Sequence, residues 1–208
     1  AAYVREFAKR GVSAFGVDLS PEMAKYARKR TEENGVECSI IEGDFRGFEL
    51  GQKVDLAILM MATFGYLLSN RDVLTHFNTV ADNLSDNGLY LIELAHPREV
   101  FNDRCTKNQW EIEKGDQKIE IDWASDAVFD PLTEIDKGTV RFKWMRGGEP
   151  LEFSAVEETR RYSLGLIRSL VEQSGRFKIA TMYGDLDLNR TLDNDKESWR
   201  MILVLRKY

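Results

Sequence analysis

Four places in the chain put polar or acidic residues at the end of an apolar run. Asp18 closes the run Val12–Val17, and Asp44 follows Val36–Ile41 across Glu42-Gly43. Residues 61–70 (MATFGYLLSN) follow Val54–Met60, and Glu93 lies near the end of Leu89–Leu94, with His96 and Pro97 just beyond. An ionised carboxylate is a pure acceptor. At Asp18 it suits two vicinal ribose hydroxyls; at Asp44 it suits an exocyclic adenine amine, with Phe45 or Met23 against the ring. The competing reading makes Asp18 a cap for the loop before a helix and Asp44 a turn aspartate. Histidine is the side chain whose imidazole is suited to proton transfer near neutrality, which makes His96 the candidate base. A hydroxyl nucleophile needs such a base within about 3 Å; otherwise His96 is a loop histidine packed by its neighbours. Glu93 orients His96, holds an ammonium group, or is a buried strand-end carboxylate bonded to backbone. Tyr66 shapes the reacting region or simply packs. His76 falls on the outer side of its helix, away from the chemistry.

These residues meet only if the runs before them are neighbouring strands. Residues 1–10 read as a helix stopped by Gly11. Ser20-Pro21-Glu22 supplies a cap, a proline and an early acid for a helix to about Glu33, which Asn34-Gly35 ends. Arg71–Leu84 is amphipathic at helical period, and Asp86-Asn87-Gly88 turns into the strand Leu89–Leu94. Short apolar strands separated by amphipathic helices predict a mostly parallel sheet covered on both faces. Ligands of such sheets bind beyond the carboxyl ends of the strands, which is where the four sites fall. From about residue 108 the period becomes two: Trp110 and Ile112, then Ile119, Ile121 and Trp123, then Val140, Phe142 and Trp144, with Leu151 and Phe153 following. This predicts an antiparallel sheet serving as a substrate lid, a dimer surface or a small core of its own. A helix over 164–174, a strand over 177–183, a polar loop over 184–197 and a strand over 199–205 complete the chain.

Of the 208 residues 43% are hydrophobic and 31% charged, an ordinary globular composition. Lys+Arg minus Asp+Glu is 29 − 35 = −6, which argues against a non-specific grip on nucleic acid. No apolar run approaches membrane-spanning length, and the start has no signal-peptide pattern, so no membrane partner is expected. Cys38, Cys105, His76 and His96 are too few soft ligands for a Cys/His zinc site, and no metal is expected. Nothing suggests a disulfide framework, so a cytoplasmic location is the expectation.

The run Gly16-Val17-Asp18-Leu19-Ser20-Pro21-Glu22-Met23, continued by Ala27-Arg28, resembles the second-strand segment of class I S-adenosylmethionine-dependent methyltransferases. Glu42-Gly43-Asp44 resembles that family's third-strand motif, and Asp55-Leu56-Ala57 through Tyr66-Leu67-Leu68 its fourth. Leu84-Ser85-Asp86-Asn87-Gly88 with Leu91-Ile92-Glu93 resembles the turn into the fifth strand, although Asp86-Asn87 departs from the usual pair. Arg161-Tyr162-Ser163 and Tyr183-Gly184-Asp185 resemble the C-terminal part of small-molecule members with a β-rich insertion. The resemblance implies an α/β fold: a Rossmann-like, mostly parallel sheet with an antiparallel last strand, helices on both faces and a small antiparallel insertion. Three parts follow: 1–107 as the cofactor-binding core, 108–160 as the insertion, and 161–208 completing the core sheet.

The resemblance also implies S-adenosyl-L-methionine as cofactor and methyl transfer to an amine or hydroxyl of a small molecule. Asp18 would bind the ribose hydroxyls, and Leu19 and Met23 would lie near the adenine. Asp44 would accept from the adenine amine, with Phe45 packed on the ring. Met61 and Ala62 would line the path to the methionine portion, while Tyr66, Glu93 and His96 would face the acceptor. The family's first strand and glycine-rich loop have no counterpart in these residues. The expectation is that they precede Ala1, because losing a central strand strands its ladder amides; the alternative is a chain that binds the cofactor poorly. Two other functions compete: a nicotinamide-dependent oxidoreductase, whose ribose Asp18 would suit equally, and a non-catalytic module with a degenerate nucleoside pocket. A monomer or homodimer is expected.

Overall fold

The computed structural model describes residues 2–101, 109–146 and 149–208. Cys105 and the expected Gly147-Gly148 turn lie outside the described residues. The chain begins with α1 (Ala2–Lys9), β1 (Phe15–Asp18), α2 (Pro21–Glu33) and β2 (Ser39–Glu42). It continues through β3 (Val54–Leu59), a 3-10 turn (Thr63–Tyr66), α3 (Asn70–Asn83) and β4 (Leu84–Ala95). The insertion holds β5 (Gln109–Lys114), β6 (Gln117–Trp123), β7 (Val128–Asp130), β8 (Ile135–Arg146) and β9 (Glu149–Arg160). Last come α4 (Leu164–Ser174), β10 (Phe177–Tyr183) and β11 (Arg200–Lys207).

Local chemistry sets the helix ends. The side chains of Ser20, Ser69 and Ser163 accept hydrogen bonds from the backbone N–H groups of Met23, Asp72 and Leu166, each satisfying one first-turn donor. Pro21 opens α2 with its φ already set. Gly175 stops α4 in the left-handed region at φ +60°.

The expected α/β architecture is present. Strands β3 and β4 are parallel, β11 runs antiparallel between β4 and β10, and β1 pairs with β2 in parallel. The sheet is divided, however: among the described residues no strand joins the β1–β2 pair to the β3 edge of the four-stranded sheet. That division explains why β3, an apolar run expected to be buried, keeps Asp55 and Leu56 exposed. Extended backbone in β4 starts at Leu84, earlier than the expected Leu89. The Asp86-Asn87-Gly88 turn survives as a bulge within it, with Asn87 at φ +62°.

The core lies between the four-stranded sheet and α3 and α4. Phe64, Phe77, Tyr90 and Phe177 form a run of buried rings, closed by Ile167, Leu170, Met201, Leu203 and Leu205. Full burial of side chains of this size contributes about 1.5–3 kcal/mol each. The insertion is an antiparallel sheet, with β8 at its centre paired to β6, β7 and β9. Its return to the core is pinned by two arginines. Arg161 reaches both Asp136 oxygens at 2.5 and 2.6 Å, and Arg160 reaches Glu134 and Asn70, each at 2.7 Å.

Candidate active site at the carboxyl ends of the parallel strands

Asp18 and Glu42 are register partners at the ends of β1 and β2. The Gly43 N–H donates to the Asp18 carbonyl at 2.9 Å, so Asp44 emerges beyond the same end. The Ser20 N–H donates to Asp18 Oδ1 at 3.0 Å, which aims the carboxylate. Its Oδ2 has no protein partner among the described residues. Leu19 and Met23 stand beside it with most of their apolar surface bare. Asp44 is engaged: it accepts from the Arg46 N–H at 2.8 Å and from Nη2 at 2.6 Å. These hydrogen bonds from Arg46 hold its carboxyl below the usual range. Arg46 also reaches Asp72, in the first turn of α3, at 3.4 Å. The end of β2 and the start of α3 after β3 therefore share one side of the molecule.

Phe45 meets the His76 ring edge-on, at 5.1 Å between centroids. The expectation that His76 sits on the outer side of its helix is overturned, since it is buried. Its Nδ1–H donates to the Phe45 carbonyl at 2.7 Å, which leaves Nε2 to accept from the Tyr90 hydroxyl at 2.6 Å. A carbonyl can only accept, and that fixes the tautomer. Burial pushes its pKa down to about 4.

At the end of β3 two consecutive non-glycine residues are left-handed, Met61 at φ 60° and Ala62 at φ 53°. Such residues persist where the surroundings over-determine them, and they cluster at functional sites. Glu93 supplies the constraint. Its Oε2 accepts from the Met61 N–H at 2.6 Å, and its carboxylate is paired with Arg200 of β11. Arg200 in turn lies over the Trp199 ring at 3.8 Å. Glu93 is thus a buried brace between β4, β11 and the strained turn. The Tyr66 hydroxyl donates to Glu157 of β9, joining the 3-10 turn to the insertion. Burial, and then Glu157, raise the Tyr66 pKa.

His96 is also buried, with both ring nitrogens committed. Nε2–H donates to the Asp193 carbonyl at 2.8 Å, and Nδ1 accepts from the Arg98 N–H at 3.1 Å. A general base needs a free lone pair. In this geometry His96 holds the loop before β11, where Gly184 also packs so closely on Ser198 that a Cβ would collide. The residues that complete the site and escaped sequence reading are Arg46, Glu157 and Arg200. Only Glu157 left a signal: it continues the alternation of Phe153 and Ala155 along β9.

Residues 1–88 match the family described as a methyltransferase domain. Over 101 residues the chain is 28% identical to the dTDP-3-amino-3,4,6-trideoxy-alpha-D-glucopyranose N,N-dimethyltransferase of Streptomyces venezuelae, covering 49% of this chain and 41% of that protein. It thus spans less than half of that relative's length. A solved S-adenosylmethionine-dependent methyltransferase from Clostridium acetobutylicum superposes with a TM-score of 0.76 at 17% identity, covering 93% of this chain and 74% of that one. CalS10, an amino pentose methyltransferase from Micromonospora echinaspora solved with S-adenosylmethionine bound, superposes at 0.69 with 16% identity, covering 94% and 74%. Residues 1–88 thus resemble a methyltransferase domain, and the chain has the fold of the solved S-adenosylmethionine-dependent methyltransferases. The cofactor of that class is S-adenosylmethionine, not the nicotinamide dinucleotide whose ribose Asp18 alone would suit equally.

The residues present fit the nucleoside half of that cofactor. Asp18 offers an unpartnered carboxylate oxygen, and Leu19 and Met23 offer bare apolar surface beside it. Asp44 fits only as Arg46 yields part of its hold.

Proposed function

We propose that this chain methylates an amine on a small molecule, with an amino sugar as the substrate class. The observation that carries the reading is the pair of carboxylates, Asp18 and Asp44, at the ends of adjacent parallel strands above exposed Leu19 and Met23. In this reading Asp18 accepts from the ribose hydroxyls. Leu19 and Met23 cover the adenine, and Asp44 accepts from its amine. The backbone of Met61 and Ala62, fixed by Glu93, borders the methionine portion. When bound, the cofactor supplies an electrophilic methyl on a sulfonium.

The amine is preferred over a hydroxyl because His96 offers no free nitrogen. A neutral amine attacks with its own lone pair and releases its proton afterwards. Tyr66 and Glu157 form a polar pair on the 3-10 turn that follows Met61 and Ala62, suited to holding an amine by hydrogen bonds. The Streptomyces venezuelae relative, named for a sugar amine, supports the substrate class.

Titration calorimetry with S-adenosylmethionine tests the first step. Asp18→Ala is expected to weaken binding about tenfold or more; unchanged affinity removes Asp18 from the site. Mass spectrometry of nucleotide-linked amino sugars incubated with protein and cofactor tests the acceptor. Product carrying a new N-methyl group is expected. Cofactor binding without any such product rejects the amino-sugar class.

A further inference from the structure

Asp44 reaches the candidate site with its hydrogen-bonding capacity already filled. An ionised carboxylate has about four lone-pair positions. Those on Oδ1 take the Arg46 N–H at 2.8 Å and Nε at 3.1 Å; those on Oδ2 take Nε at 2.9 Å and Nη2 at 2.6 Å. An arriving adenine amine has to displace a donor, and the one free to leave is the Arg46 side chain. The main chain around it is fixed. The carbonyls of Asp44, Phe45 and Arg46 accept from the Gly47 N–H at 2.9 Å, His76 Nδ1–H at 2.7 Å and the Thr79 hydroxyl at 2.7 Å. A second carboxylate lies within reach of the same guanidinium. Nη1 stands 3.4 Å from Asp72 Oδ1, too far for a strong bond. The Ser69 hydroxyl donates to Asp72 Oδ2 at 2.6 Å and holds that carboxylate in place. Among the described residues the Arg46 guanidinium has no third partner.

We infer that Arg46 selects the cofactor's purine by changing carboxylates: the exocyclic amine takes Asp44 Oδ2 as the guanidinium moves across to Asp72. This rests on the cofactor reading above. All three side chains are partly exposed, and ion pairs in contact with water contribute little, so exchanging one for the other costs little. The purine decides the exchange. An exocyclic amine donates, and so replaces the guanidinium on Oδ2. An exocyclic oxygen in the same place sets a lone pair against a carboxylate that Arg46 keeps ionised. The guanidinium then stays on Asp44 and the ring is left without its partner. The move has a structural result as well: a closer Arg46–Asp72 pair ties the segment after β2 to the first turn of α3.

Titration calorimetry tests this with two probes, S-adenosylhomocysteine and S-inosylhomocysteine, which carries an exocyclic oxygen in place of the amine. Wild-type protein should bind the adenosyl compound about tenfold more tightly or better. Arg46→Met removes the competitor, so adenosyl binding should tighten about threefold and the preference should widen. Asp72→Asn removes the receiving charge, so adenosyl binding should weaken about fivefold and the preference should narrow. In the Arg46→Met background the same Asp72 substitution should leave the preference unchanged, because its effect passes through Arg46. Each preference is a ratio within one variant, so a change in stability cancels from it. An arginine that merely positioned Asp44 would give a narrower preference in Arg46→Met, and that result overturns the inference. So does a wild-type preference that Asp72→Asn leaves intact, or an Asp72→Asn effect that is equal with and without Arg46. Adenosyl binding that Asp18→Ala weakens, but with no preference between the probes, overturns the Arg46 assignment and leaves the ribose half of the cofactor reading standing. Binding of neither probe overturns both.

Discussion

His76 joins the nucleoside end of the site to the core through the Phe45 carbonyl and the Tyr90 hydroxyl. Its folded pKa of about 4 lies below the 6.5 of an unfolded histidine. Between those values the unfolded chain holds the extra proton, so stability falls as the pH drops from about 6.5 toward 4 and is flat above. The full effect is about 3 kcal/mol. Urea midpoints should therefore be lower at pH 5 than at pH 7.5, and His76→Gln, which can still donate and accept without titrating, should lose that difference. A flat wild-type profile would show that the ring does not stay neutral on burial. At this scale the sequence placed Asp18, Asp44 and Glu93 at strand ends, because strand and turn signals are local. It was silent on the arginines that hold two of them: Arg46 on Asp44 and Arg200 on Glu93 act through long stems whose direction depends on packing.

The element that carries the most local strain is the turn after β3. Met61 and Ala62 hold left-handed backbone that a side chain disfavours, and the Glu93–Arg200 pair keeps the first of them in place. Glycine adopts this region freely, so Ala62→Gly should relieve strain and raise stability by about 1 kcal/mol, after glycine's own entropy in the unfolded state is deducted. Thermal and urea unfolding measure it. A loss of stability would mean that the Ala62 methyl packs rather than strains. The change of period near residue 108 exposed the insertion in advance, since amphipathic alternation is written residue by residue. The turn's handedness was not written there, because neither Met nor Ala signals positive φ.

Across the whole molecule the two halves of the parallel sheet differ in support. Strands β4 and β11 are paired on both sides and buried under α3 and α4, whereas β1 pairs only with β2 among the described residues. The β1–β2 unit is tied to α3 through the segment after β2: Arg46 with Asp72, Phe45 with His76, the Leu50 N–H donating to Asn83 at 2.9 Å, the Thr79 hydroxyl donating to the Arg46 carbonyl at 2.7 Å and the Asn83 amide donating to the Phe48 carbonyl at 3.0 Å. Strand order was readable from alternating elements, and the division between β1 and β3 was foreshadowed by the central strand of the resembled family that has no counterpart in these residues. Opening of a unit held by few contacts needs less than global unfolding. Backbone amides of 15–18 and 39–42 should exchange with deuterium well before those of 90–94 and 201–205. Saturation with S-adenosylmethionine at about a hundred times its dissociation constant adds about 2.7 kcal/mol to any opening that destroys the site. Protection should then rise about a hundredfold at 15–18 and 39–42, with little change at 201–205 beyond the global limit. Equal protection of both sets before cofactor is added would mean that the two half-sheets open together, and the α3 contacts would then be stronger than their number suggests.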